Sequence, residues 1–284
     1  MTSSNNNGNG NGNGNGNNGN SNPGALAVAA LHARAQQQGT LSAQSGAILA
    51  GDLGGMVIAG AAGMNAEDIQ ASDVTLITLV LDASSSIHDR KLEAAVVEGE
   101  KLLLDAFAGA REKDSVLVAL WTFQSDATVV HGYLPADDAT RLEVGKSYRT
   151  GGCTHLYDTF IAAAAANVAY AQKLRDAGTP TRSIVVIVTD GEDVGSRRPA
   201  RACKKLAEDL LKSEQFILAF VGVGNDADFK KVAASMGIPD GCVLVQQQAS
   251  PSAVRAAFQL VSRSAVKASQ GRIQPGVAAG FFSP

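Results

Sequence analysis

The chain has 284 residues and a formal net charge of −3, from 24 Lys and Arg against 27 Asp and Glu, and 45% of its residues are hydrophobic. That length allows a core of ordinary size, and nearly balanced charge without a Lys/Arg stripe argues against nucleic acid as a partner. The three cysteines, Cys153, Cys203 and Cys242, are too widely spaced for zinc pairs or a disulfide framework and read as reduced, buried thiols of a cytosolic protein.

Residues 1–24 are dominated by an Asn/Gly repeat, too polar and flexible to bury anything, and are expected to form a disordered tail. This stretch has neither the basic nor the apolar region of a secretory signal, so a cytoplasmic location is expected. Residues 25–72 form an Ala/Gly-rich helical extension. Within it, residues 25–38 favour a helix that Gly39 stops. Residues 40–64 are apolar but built from small side chains, with Asp52 and several glycines inside. A membrane span needs about 20 predominantly apolar residues, so none is expected here. This stretch is either an appendage packed on the following domain or a docking and oligomerising segment.

Polar residues 65–68 reset the composition, and an α/β domain is expected over residues 73–268. Residues 74–81 (VTLITLVL) are a continuous apolar, β-branched run, the mark of a strand buried on both faces, and they deliver Asp82 at the tip. Residues 89–108 have the spacing of an amphipathic helix. Strands follow at 115–123 and 127–133, made antiparallel by the short link Gln124-Ser125-Asp126. A short helix is expected at 137–144, and a long Ala-rich one at 155–177, stopped by Gly178 and Pro180. Residues 183–189 (SIVVIVT) repeat the buried-strand pattern and deliver Asp190, with Gly191 allowing a sharp turn. Helices at 200–212, 226–236 and 251–267 alternate with strands at 215–223 and 242–246. The alternation predicts a doubly wound, mostly parallel six-stranded sheet with one antiparallel edge strand and helices on both faces. In the remaining tail, residues 269–284, Phe281 and Phe282 are either a peg into the domain or bait for a partner.

Two buried parallel strands thus present Asp82 and Asp190 on the carboxyl-end edge, where ligands sit in open α/β sheets. Asp82-Ala83-Ser84-Ser85-Ser86 places a carboxylate and two hydroxyls on alternate residues, able to turn three oxygens around one hard cation. Thr154 and Asp190 raise the donor set to five oxygens, with no sulfur or imidazole. Such a set suits Mg²⁺, with Mn²⁺ or Ca²⁺ as lesser candidates, at roughly 2.0–2.1 Å for Mg²⁺. Neutral hydroxyls leave the ion electrophilic, with one position open to a carboxylate from outside. The plainer alternative makes Ser84, Ser86 and Thr154 turn and helix-cap residues.

The pattern resembles the metal-ion-dependent adhesion site of von Willebrand factor type A domains. The resemblance rests on Asp82, Ser84 and Ser86, on Thr154 within Gly151-Gly152-Cys153-Thr154-His155-Leu156-Tyr157-Asp158, and on Asp190-Gly191. It extends, with the order of strands and helices, over about residues 73–267. It implies that Ser84, Ser86 and Thr154 ligate Mg²⁺, that Asp82 and Asp190 act directly or through water, and that a partner's Asp or Glu completes the shell. It further implies a protein-interaction module and not an enzyme, an adaptor in an intracellular complex, for instance beside an AAA+ ATPase. Cys153 stands where glycine is common, a departure that touches backbone freedom more than metal chemistry.

Other readings are weaker. Gly222-Val223-Gly224-Asn225-Asp226-Ala227 matches a dinucleotide fingerprint formally, but Asp226 and Asp228 put negative charge where a pyrophosphate must sit. In a haloacid-dehalogenase-like Mg²⁺ phosphatase, Asp82 would be the nucleophile and Asp190 a metal ligand. Ser84 then stands where a second aspartate is usual, and only Arg182 is near where a lysine is expected. No G-x-S-x-G is present, and His88 and His155 read as partly exposed loop residues. A further alternative is a self-assembling structural protein, a homo-oligomer joined through the domain and its N-terminal extension.

Overall fold

The structure, a computed structural model, describes residues 22–51, 54–271 and 280–282. The expected disordered tail over residues 1–21, Asp52, and residues 272–279 and 283–284 of the C-terminal tail lie outside the described residues.

Six strands form one sheet: β1 (Val74–Asp82), β2 (Val116–Phe123), β3 (Ala127–Pro135), β4 (Thr181–Thr189), β5 (Phe216–Val223) and β6 (Val243–Gln246). Their order is β3-β2-β1-β4-β5-β6, parallel throughout except between β2 and β3. Every residue of β1, β2 and β5 is buried, which is why they read as unbroken apolar runs. The order reverses between β1 and β4, and the crevice beyond that switch point is the ligand position of such sheets.

The extension begins with α1 (Pro23–Gln37), α2 (Ala43–Ala50) and α3 (Gly55–Gly60). The first helix starts inside the expected tail, because the Asn22 side chain accepts from the Gly24 N–H and Pro23 suits the first helical position. In the domain come α4 (Ser85–Asp89), α5 (Glu93–Ala108), α6 (Leu156–Asp176), α7 (Ala200–Lys212), α8 (Phe229–Ser235) and α9 (Pro251–Ser269). The helix expected over 89–108 is therefore broken, with Arg90 capping α4 and Lys91 in the left-handed region at φ 56°. The short helix expected over 137–144 does not form. Leu142 N–H instead turns to the buried Glu100 carboxylate, and Arg141 reaches the Lys101 carbonyl and Asp105.

Side chains alternate across the sheet. Leu81 packs toward Val96 of α5 and Val254 of α9. On the other face Thr78, Tyr133, Asn167 and Ser183 form a buried polar cluster. Asn167 Nδ2 donates to Thr78 Oγ1 at 3.0 Å and Tyr133 Oη at 2.9 Å, while Ser183 Oγ donates to Asn167 Oδ1 at 2.7 Å.

Ala162 to Ala166 of α6 are all buried. A helix apolar on every side needs cover on every side. The sheet covers one, and α1 and α3 cover another. His32 of α1 meets the Ala165 carbonyl at 2.8 Å, and Gly60 of α3 comes so close to Trp121 and Ala166 that no side chain fits. The extension then runs along the outer edge of β3, where Tyr133 N–H donates to the Ala62 carbonyl and Met64 N–H to the Tyr133 carbonyl, both at 2.9 Å.

Phe281 is buried beside Phe282, whose N–H donates to the Gly241 carbonyl. The cysteines are free; Cys203 and Cys242 are buried, but Cys153 is exposed, contrary to the expectation of three buried thiols. Among the described residues no helix is long and apolar enough to cross a membrane.

Candidate metal centre

The register of the two central strands builds the site. Leu81 pairs with Val188, so Asp82 arrives beside Thr189 at the carboxyl ends of β1 and β4. Thr189 Oγ1 donates to Asp82 Oδ2 at 2.6 Å, and Ser84 N–H donates to Oδ1 at 2.7 Å. The Tyr148 hydroxyl donates to the Asp82 carbonyl, fixing the main chain as well. Asp82 is only 2% exposed. Burial pushes its carboxyl up to about 6, against the hydrogen bonds from Ser84 and Thr189 and with a contribution from the Asp190 charge.

Ser84 stands at the N-cap of α4, yet its hydroxyl does not cap the helix. Ser84 Oγ lies 3.0 Å from Ser86 Oγ, and Ser86 Oγ donates to Asp190 Oδ1 at 2.7 Å. Burial also raises the Asp190 carboxyl, against the hydrogen bond from Ser86 and the Arg90 charge. Thr154 approaches from the opposite wall. Its main chain is held by Val194 N–H, which donates to the Thr154 carbonyl at 2.8 Å, and its hydroxyl faces the Asp190-Gly191 turn, 3.8 Å from where a Gly191 side chain would begin. The Gly-rich turn before Thr154 is tied to the first loop, since the Gly152 carbonyl accepts from both the N–H and the hydroxyl of Ser85. Gly152 itself has φ 65° and leaves room for Ser125, whose hydroxyl takes the Cys153 N–H.

Ser84, Ser86, Thr154 and Asp190 therefore line one cleft of about 370 Å³, and Asp82 lies beneath it. The donor set is entirely oxygen, and both carboxylates are anions that burial disfavours. Such a surrounding gains by accepting a hard divalent cation, so the residues present fit one. The two engaged oxygens of Asp82 do not suit a nucleophile that must meet a substrate.

Several participants escaped sequence reasoning. Arg90 donates to the Asp190 carboxylate and carbonyl and, through its other nitrogen, to Asp226. Its one advance signal was its place four residues after Ser86, on the same helical face. Asp193 and Ser196, in the loop after Gly191, cap the start of α6 through the N–H groups of Tyr157 and Asp158. The Asp158 carboxylate in turn accepts from the N–H groups of Arg197 and Arg198. The formal dinucleotide fingerprint also resolves into packing. A side chain on Gly222 would begin 2.2 Å from the Phe229 ring, and Asp228 caps α8 through the Lys231 N–H.

Among solved structures, the chain is similar in fold to a von Willebrand factor type A protein from Catenulispora acidiphila, at 18% identity over 68% of this chain and 43% of that one, TM-score 0.47. It is similar to the pilus adhesin SpaC from Lactobacillus rhamnosus GG, at 18% identity over 70% of this chain and 31% of that one, TM-score 0.49. A third is proximal thread matrix protein 1 from the mussel byssus, with zinc occupied MIDAS motif, at 17% identity over 70% of this chain and 46% of that one, TM-score 0.44. The similarity spans less than half the length of each of those three chains. A search of curated proteins finds no match. The profile of the von Willebrand factor type A domain matches residues 77–267, the greater part of the sequence, and the chain belongs to that family.

Proposed function

We propose that the chain is a metal-dependent protein-binding module with Mg²⁺ as its ion, held by the hydroxyls of Ser84, Ser86 and Thr154. The observation that carries this reading is the hydrogen-bonded row Ser84–Ser86–Asp190, which opens on one cleft opposite Thr154. When bound, the ion supplies an electrophilic position for an Asp or Glu carboxylate of a partner protein. Asp82 remains buried, holding the first loop through Ser84 N–H and contributing charge from below. Asp190 contributes charge from the second wall. Ser85, Cys153, Glu192, Val194 and Ala227 around the cleft then select which partner enters.

The partner is a second protein in an intracellular complex, for which the chain is an adaptor in the cytoplasm; a AAA+ ATPase is one candidate. The extension directs apolar side chains into its own domain, with Val28, Ala35, Leu49 and Val57 all buried in the shared core. This favours a separate partner over a homo-oligomer joined through residues 40–64.

The test is a calorimetric titration of Mg²⁺ and Mn²⁺ into the wild type and Ser84→Ala/Thr154→Ala, with a pull-down from the native source in metal and in chelator. Metal affinity is expected to fall at least about tenfold in the variant, and a partner to be retained only with metal. A wild type that takes no ion at millimolar concentration, or a variant that binds as well, overturns the proposal.

A further inference from the structure

The site's acidic floor is already matched by a cation of the chain's own. Ser86 and Arg90 lie four residues apart, which sets them on one face of the α4 turn, and they take the two oxygens of the same carboxylate. Ser86 Oγ donates to Asp190 Oδ1, while the Arg90 guanidinium donates to Oδ2 and to the Asp190 carbonyl. Its second nitrogen reaches Asp226 Oδ2. The Asp190 side chain is 0% exposed, that of Arg90 25% and that of Asp226 60%, so the guanidinium bridges a carboxylate at the floor and another at the rim. All of these residues line the one cleft.

A planar fork with several donors suits such a two-carboxylate bridge. It also puts a fixed positive charge on the same carboxylate that a divalent ion among Ser84, Ser86 and Thr154 would need. Two cations contending for one buried anion repel, and with neither in place the anion is left uncompensated. We propose that Arg90 is a tethered counter-ion of the metal-free site, exchanged for the metal when it binds: the guanidinium releases Asp190 and stays with Asp226 at the rim. Arg90 thereby sets the ion concentration at which the site fills. This rests on the metal-site reading given above.

The experiment compares Mn²⁺ binding by calorimetry in the wild type and Arg90→Gln, together with thermal melts in chelator and at saturating Mn²⁺. Arg90→Gln is expected to bind Mn²⁺ about tenfold more tightly. In chelator it melts below the wild type, because Asp190 has lost its partner, and saturating Mn²⁺ closes that gap. Equal or weaker affinity in the variant, with the wild type binding, overturns the exchange and leaves the metal site standing. Binding by neither protein overturns the metal site and the exchange with it. A measurement independent of the variant's folding follows the Arg90 guanidinium by NMR in the wild type, with diamagnetic Mg²⁺ as the titrant. Its signals are expected to move with metal occupancy, and signals unmoved at saturation overturn the exchange.

Discussion

Glu100 gives the sharpest test of the electrostatics, because it lies apart from the metal cleft and is 0% exposed. One carboxylate oxygen takes only a long bond, 3.4 Å, from Leu142 N–H, and the other has no hydrogen-bond partner among the described residues. Burial pushes the carboxyl up to about 7 from an ordinary 4.5; the Leu142 bond and the Arg141 charge oppose the shift, and Asp105 adds to it. The folded chain thus keeps a proton that the unfolded chain has released. The stability associated with that proton is complete below pH 4.5 and is lost progressively as the pH rises through about 7. At 1.36 kcal/mol per unit, the loss reaches about 3 kcal/mol. Glu100→Gln cannot lose the proton, so it should exceed the wild type by up to about 3 kcal/mol at pH 8 and match it within about 1 kcal/mol at pH 4. Urea unfolding of both chains in chelator, at intervals from about pH 4 to pH 8, gives the difference, and the raised Asp82 and Asp190 carboxyls cancel in it. A difference independent of pH would refute the reasoning.

Two further outcomes follow from the packing. Asn167→Leu removes three buried hydrogen bonds and strands the Ser183 hydroxyl, for a cost of about 3 kcal/mol. In a double-mutant cycle with Ser183→Ala the two costs should fall short of adding, and strict additivity would dissolve the cluster as a unit. Gly132→Ala would place a methyl group 2.2 Å from the Ala62 carbonyl oxygen, main chain that cannot swing aside. The extension should lift from β3, at a cost of about 1–3 kcal/mol. Limited proteolysis near residues 60–65 reads this directly, and protection equal to the wild type contradicts it.

The sequence revealed what is local. The runs of β1 and β4 were legible because burial on both faces leaves no charged residue within residues 74–81 and 183–189 to blur them, and a strand's end is where its last carboxylate must emerge. Ser84 and Ser86 were legible as a spacing. Arg90 and Asp226 are 136 residues apart, and only the sheet's winding brings them together. The expected helix at 137–144 failed for the same reason, since Glu100 from a distant helix claims the Leu142 N–H. The covering of α6 did leave a trace, the run Ala162 to Ala166 with no polar face, which announces neighbours on more than one side without naming them.

The pairing of Ala62 and Met64 with Tyr133 has a bearing on how this molecule meets others. A bare sheet margin is a template on which a foreign chain can crystallise its backbone, and such joins tend toward permanence. Here the long margin at β3 is partly occupied by the chain's own leading segment, and the opposite margin, β6, spans only four residues. Association is thereby steered toward side chains and loops, and a union made that way can be undone by changing the solution without unpicking a strand.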